Sequence, residues 1–91
     1  MMDDNELFEK AIQKKSEDNQ VNQAIEELNE LAVALNHYRR TDRAPRILDV
    51  IEEIADAELG IAEMKYLWKI PESAIREMKI VKKEKLERSL L

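Results

Sequence analysis

Four carboxylates fall into two pairs with helical neighbour spacing: Glu27 with Glu30, and Glu53 with Asp56. Residues three apart lie side by side on a helix surface. Each pair sits in a repeated local pattern. Ile25-Glu26-Glu27-Leu28-Asn29-Glu30 is echoed by Ile51-Glu52-Glu53-Ile54-Ala55-Asp56, at an offset of 26 residues. If the two carrying helices run antiparallel, residues at equal height share one sum of residue numbers. Glu27 with Asp56 and Glu30 with Glu53 both give 83, which centres the turn on residues 41 to 42. Four carboxylates then meet at one level of a hairpin.

Such a cluster needs an offset for its charge. A like-charge pair at 4 Å costs roughly 1 kcal/mol in water and about 4 at an effective dielectric near 20. Raised pKa values, Lys or Arg partners, or bound divalent cations can each supply it. Oxygen-only ligands suit Mg²⁺ or Mn²⁺. With one histidine and no cysteine, a zinc site is disfavoured. A single Glu-Glu-x-x-Glu is ordinarily a solvated helix face. Duplication, matched height and position at the edge of the apolar stripe argue against that here. On the wheel, Glu27 falls between Ala34 and Tyr38, and Glu53 borders Ala57 and Met64, with Glu30 and Asp56 about 60° further out.

The elements that would position these acids are helices. One Gly and two Pro leave little punctuation for sheets, and helix formers dominate the 91 residues. A first helix is predicted over 5–15, capped from Asp3, Asp4 or Asn5, with Leu7, Phe8, Ala11 and Ile12 as its stripe. Ser16 to Asn19 breaks it. A second helix is predicted over 18–40, with Val21, Ala24, Ile25, Leu28, Leu31, Ala32, Leu35 and Tyr38 on one face. Arg39 and Arg40 suit its end, Asp42 can cap the next helix, and Pro45 fits that helix's first turn. The third helix, 44–69, has two apolar faces, so it needs two packing partners. One face is Ile47, Val50, Ile51, Ile54, Ala57, Ile61, Met64 and Trp68. The other is Leu48, Ala55, Leu59, Ala62 and Tyr66. Pro71 fits the first turn of a basic fourth helix over 71–89, which carries Ala74, Ile75, Met78, Val81 and Leu86. The fold class is all-α, one domain over 1–91, whose central antiparallel hairpin completes a four-helix bundle by homo-oligomerisation.

Composition excludes several classes. With 20 acids and 15 bases the net charge is −5, which disfavours a nucleic-acid surface. The longest apolar run is five residues, Leu31 to Leu35, so neither a membrane span nor a signal-peptide core is expected. A cytoplasmic protein is the simplest expectation.

Glu26-Glu27-x-x-Glu30, then 22 residues, then Glu53-x-x-Asp56 resembles the signature of the MazG-like, all-α nucleoside triphosphate pyrophosphohydrolases. The resemblance covers about residues 17 to 69 and includes Gln20, six positions before the Glu pair. The tail Lys82-x-x-Lys85-Leu86 more loosely resembles the basic last helix of short members. The resemblance implies hydrolysis of an NTP or dNTP to monophosphate and pyrophosphate by water attack at the α-phosphate, as a nucleotide-pool house-cleaning activity. Carried over by position, Glu27, Glu30, Glu53 and Asp56 would hold Mg²⁺, with Mn²⁺ as a substitute. Glu26 would act as a catalytic auxiliary that orients a ligand or water.

Lys82 and Lys85 are candidates for phosphate binding, across a subunit interface if the chain forms a homodimer or dimer of dimers. A solvated basic helix end explains them too. Gln20 or Asn19 can touch the base, and His37 can face the site, although surface positions account for all three. Arg39, Arg40 and Arg43 either steer substrate or satisfy a helix end. Tyr38, Tyr66 and Trp68 can stack on a base, but core or interface packing explains them as well. Glu58 and Lys65, seven residues apart on one apolar face, fit an interface ion pair or a second role near the site. Two other function classes remain: a non-catalytic helical interaction module, and a nucleotide-binding sensor without turnover.

Overall fold

Asp3 starts the first helix. Its carboxylate accepts from the backbone N–H of Glu6 at 2.9 Å, which satisfies one of the unpaired donors of a helix N-terminus. The computed structural model describes residues 1–40 and 43–91. It contains α1 (Asp4–Lys15), α2 (Glu17–Arg40), α3 (Arg43–Leu67) and α4 (Glu72–Ser89), with no strand among the described residues. The all-α expectation holds. Element bounds move by one or two residues. The proposed capping by Asp42, and the turn itself, lie outside the described residues.

Ser16 serves both neighbouring helices. It sits at φ 87°, a costly region for a residue with a Cβ. There its backbone N–H reaches Ile12 O at 2.8 Å and closes α1. Its Oγ accepts from Asn19 N–H at 3.3 Å and opens α2. Asn19 Nδ2 in turn donates to the carbonyl of Lys15 at 2.6 Å. At the far end, Lys69 adopts φ 53°, and Ile70 N–H bonds Lys65 O at 2.9 Å to stop α3. Pro71 was expected inside the first turn of the last helix. It stands instead at the N-cap, with α4 beginning at Glu72.

The α2–α3 hairpin is the body of the molecule, and α1 packs on both of its helices. The hairpin seam is made of small and polar residues. Gln20, Ala24 and Ala34 of α2 and Val50, Ala57 and Glu63 of α3 are buried, with Glu27, Leu31, Glu53 and Gly60 half-buried among them. A Cβ on Gly60 would stand 3.4 Å from Cα and Cβ of Ala24, which shows how closely the two backbones approach. This corrects the expected core. Ile25, Leu28 and Leu35 on α2, Ile47, Ile51, Ile54 and Ile61 on α3, and Trp68 just beyond α3 are exposed. The helices turn their small residues inward because that permits close packing. The large aliphatics are left facing out.

Among the described residues the backbone of α4 does not come close to the other three helices, but its Ile75 and Lys79 line a recess of about 650 Å³ with Ala24 and Leu28 of α2 and Met64 of α3. The attachment of α4 at its start is polar: Lys65 Nζ reaches Glu72 Oε1 at 2.7 Å. Lys65 therefore pairs with Glu72 and not with Glu58. The chain exposes 7490 Å², about 2,000 Å² more than a compact monomer of its mass. Its radius of gyration is 16.1 Å, against about 12 Å for a compact chain of this length. No described helix is long and apolar enough to cross a membrane.

Candidate metal centre

The antiparallel register brings the four acids together. One carboxylate oxygen from each of Glu27, Glu30, Glu53 and Asp56 lies within 4.8 Å of every other. Glu30 is exposed and the other three are half-buried. At such separations each like-charge pair opposes folding by roughly 1 kcal/mol in water and about 3–4 at an effective dielectric near 20.

Of the three possible offsets, Lys or Arg partners are not found among the described residues. Among the described residues the ion pairs are Arg46–Asp49 and Lys65–Glu72, and neither touches the cluster. Gln23 Nε2 donates to Glu27 Oε1 at 2.5 Å. The second oxygen of Glu27 and Oε2 of Glu53 are buried with no hydrogen-bond partner. The Glu53 carboxyl is pushed above its ordinary range, first by burial and then by the charges of Glu30 and Asp56. Two buried oxygens without donors, in a cluster without cations, fit a divalent metal ion. A group of hard oxygen donors is the set that Mg²⁺ or Mn²⁺ takes.

The cluster stands between two recesses. A cavity of about 240 Å³ is shared by Glu27 and Asp56 with Phe8, Gln20, Gln23 and Glu63. On the other side, Glu30 and Glu53 line a recess of about 340 Å³ with Asn29, Asp49 and His37. His37 thus faces the site at its rim. Glu26 is exposed and is not one of the four clustered acids. Lys82 and Lys85 are exposed on α4 and line neither recess beside the acids. Tyr66 and Trp68 fasten helices together. Tyr66 donates to Glu9 Oε2 at 2.6 Å with its ring 6.0 Å from that of Phe8, and Trp68 Nε1 donates to Glu17 Oε1 at 3.0 Å.

Glu63 was missed in the sequence. It is 7% exposed, and Gln20, 8% exposed, donates through Nε2 to both of its oxygens at 3.0 and 2.9 Å. The signal was available: residues 20 and 63 share the sum of 83 that aligned the acids.

Comparison of the chain with family models, with curated proteins and with solved structures gives no match.

Proposed function

We propose that this chain is a divalent-metal-dependent pyrophosphohydrolase of nucleoside triphosphates. Water attacks the α-phosphorus, the bond from that phosphorus to the bridging oxygen breaks, and monophosphate and pyrophosphate are released. The observation that carries the reading is the convergence of Glu27, Glu30, Glu53 and Asp56 with two buried, donorless oxygens and no Lys or Arg partner among the described residues. The resemblance of the acidic motif to that of the MazG-like pyrophosphohydrolases suggests the substrate class.

Mg²⁺ or Mn²⁺ bound there would polarise the phosphate oxygens and neutralise part of the triphosphate charge. The carboxylates contribute position. Two are held on each helix at one height, and the seam beneath them is rigid because its residues are small and tightly packed. Phosphoryl chemistry of this kind asks the protein mainly for alignment and charge compensation. Lys82 and Lys85 enter this reading only through assembly, with α4 of one copy lying near the acids of another. The excess exposed surface of roughly 2,000 Å² per chain is ample for a homodimer or a dimer of dimers, since a standard interface takes about 800 Å² from each partner. Four acids and six bases give α4 a charge of +2, and the rest of the chain carries −7. That opposition favours the same pairing. A cytoplasmic setting goes with a nucleotide substrate.

The test is product analysis on a panel of NTPs and dNTPs with Mg²⁺ or with EDTA. Monophosphate and pyrophosphate, lost in EDTA and in Glu53→Gln, are the expected result. Diphosphate and phosphate would contradict attack at the α-position. The large exposed apolar surface also favours a second reading, a helical interaction module. No turnover together with no Mg²⁺-dependent rise in melting temperature would select it.

A further inference from the structure

We infer that the face of the α2–α3 hairpin turned away from α1 seats a second copy of this chain, laid antiparallel to the first about an axis through Ala32. The face is spaced as a helix–helix seam. Within the chain, α2 meets α3 through Gln20, Ala24, Glu27, Leu31 and Ala34, at alternating steps of four and three. A second row with the same steps runs along each helix. On α2 it is Ile25, Leu28, Ala32 and Leu35, and on α3 it is Ile47, Ile51, Ile54, Glu58 and Ile61. At about 100° per residue, both rows stand roughly 100° from the closed seam. They lie on the side away from Gln23 and Leu59, which line the cavity beside α1. Every residue of these rows is exposed. A two-fold dimer uses one patch on both copies, so a face that is a seam on one chain meets a matching seam on the other.

Charge selects the orientation. A two-fold axis along the hairpin would set α2 on α3 of the other copy, with equal heights facing. An axis across the hairpin sets α2 on α2 and α3 on α3, running in opposite directions. Residues 36–46, where α2 gives way to α3, hold four arginines against one aspartate, a charge of +3. At the other end, residues 17–26 and 57–66 hold Glu17, Asp18, Glu26, Glu58 and Glu63 against Lys65, a charge of −4. The first arrangement joins like ends and the second joins opposite ends. Complementary charge fixes orientation by penalising the wrong one.

Two details agree with an axis through Ala32. Position 39 of one copy then falls at the height of position 25 of the other, which by the register sum of 83 is the height of Glu58. Glu58 interrupts an apolar row, and among the described residues it forms no ion pair. Lys65 is held by Glu72, and Lys79, which lines the same recess, pairs with neither acid. Arg39 is exposed, with a hydrogen bond of 3.4 Å to Asn36 of its own helix. The antiparallel copy brings that guanidinium to the height of Glu58. Likewise Leu35 of the second copy arrives beside Leu28, in the recess of about 650 Å³ that Leu28 and Ile61 share with Ile75 of α4. Protein interiors leave few voids larger than a water molecule, so an apolar recess of that size is a socket still to be filled. The surplus surface of roughly 2,000 Å² exceeds the 800 Å² or so that a standard interface takes from each partner.

The inference is independent of nucleotide chemistry, and sedimentation of the full chain over a range of concentrations tests it. A dimer is expected. Ala32→Glu sets two like charges together on the axis and should weaken the dimer by about a hundredfold or more, with helix content by circular dichroism unchanged. Arg39→Glu should weaken it by about tenfold, and less in high salt, where charges are screened. Orientation is read by cross-linking. The chain has no cysteine, so Ala32→Cys carries a single thiol. On oxidation it should yield a disulfide-linked dimer, because only the antiparallel arrangement sets position 32 against itself. Ile25→Cys should yield none, since seven residues on either side of the axis separate the two thiols by about 20 Å. A monomer at every concentration overturns the inference, as does a dimer undisturbed by Ala32→Glu. A dimer that Ala32→Cys does not cross-link, or that Ile25→Cys does, overturns it too. If Ala32→Glu does not fold, the cross-linking pair decides alone. An antiparallel dimer without triphosphate turnover would refute the hydrolytic reading alone. Turnover by a monomer would refute this one alone.

Discussion

Gln20 and Glu63 face each other across the α2–α3 hairpin, as Glu27 and Asp56 do two helical turns further along. Both levels obey the same register, and both place carboxylate in the seam between two helices. Their chemistry differs. At the first level one acid meets one amide, and each Glu63 oxygen has a donor at 3.0 Å or less. At the second level four acids crowd together, Gln23 donates to Glu27, and Oε2 of Glu27 and of Glu53 are buried with no partner among the described residues. Folding can therefore be responsible for the first pair by itself. The second arrangement opposes folding unless something positive arrives. Proximity in a hairpin says little about role. Counting donors against acceptors at each level separates a joint from a receptor.

The largest test of that contrast is removal of the positive partner. Chelation, or Asp56→Asn, is expected to lower turnover by at least about a hundredfold, because even outer-shell changes around a metal commonly cost 10- to 100-fold. Steady-state release of pyrophosphate measures it. Next, Mg²⁺ at a hundred times its dissociation constant should stabilise the fold by about 2.7 kcal/mol, and so raise the melting temperature by about 10 °C or more. Glu27→Ala should remove most of this rise and Glu63→Gln little of it, as read by thermal melts with and without metal. A third comparison reverses the pattern. Gln20→Ala strips the donor from a buried carboxylate and should destabilise by about 1–3 kcal/mol whether or not Mg²⁺ is present. Chemical denaturation with EDTA and with Mg²⁺ should give the same difference.

The smallest effect is on pH dependence. Glu53 in the fold holds its proton to higher pH than in the unfolded chain, where its value is 4.5. Between those two values the folded state binds more protons, so stability must fall as pH rises. This contribution is complete below 4.5 and lost once the raised value is passed. Melts in EDTA across the acid range should show it, and Glu53→Gln should flatten it. In Mg²⁺ the trend should turn around, because metal binding requires ionised carboxylates. An identical acid-range slope with and without Mg²⁺ would show that the cluster does not take up the ion.

Much of the fold was legible because helices are local. Asp3 and Ser16 announce helix ends through short-range bonds, and four helices follow from spacing alone. The acid level was legible because an antiparallel hairpin has one register and the acids are duplicated along it. Glu63 was not legible in that way because its partner across the hairpin is an amide, Gln20, and not an acid. The core was misread for another reason. Amphipathic periodicity identifies an apolar face but not what covers it, and Ile25, Leu28, Ile51 and Ile54 lie on faces that one chain does not close. The seam went to Ala24, Ala34, Ala57 and Gly60, whose small side chains let the backbones approach.

By itself, then, the sequence determined the helical class, the element order and the height at which the four carboxylates meet, since each follows from propensity, local caps or residue counting. Only the tertiary structure decided which oxygens are left without donors, that a buried Gln20–Glu63 pair lines a cavity next to the acids, and that α4 meets the hairpin across an open recess and not by close backbone packing. Those properties depend on side-chain burial and partner choice across helices. They are set by packing in three dimensions, and no periodicity along the chain encodes them.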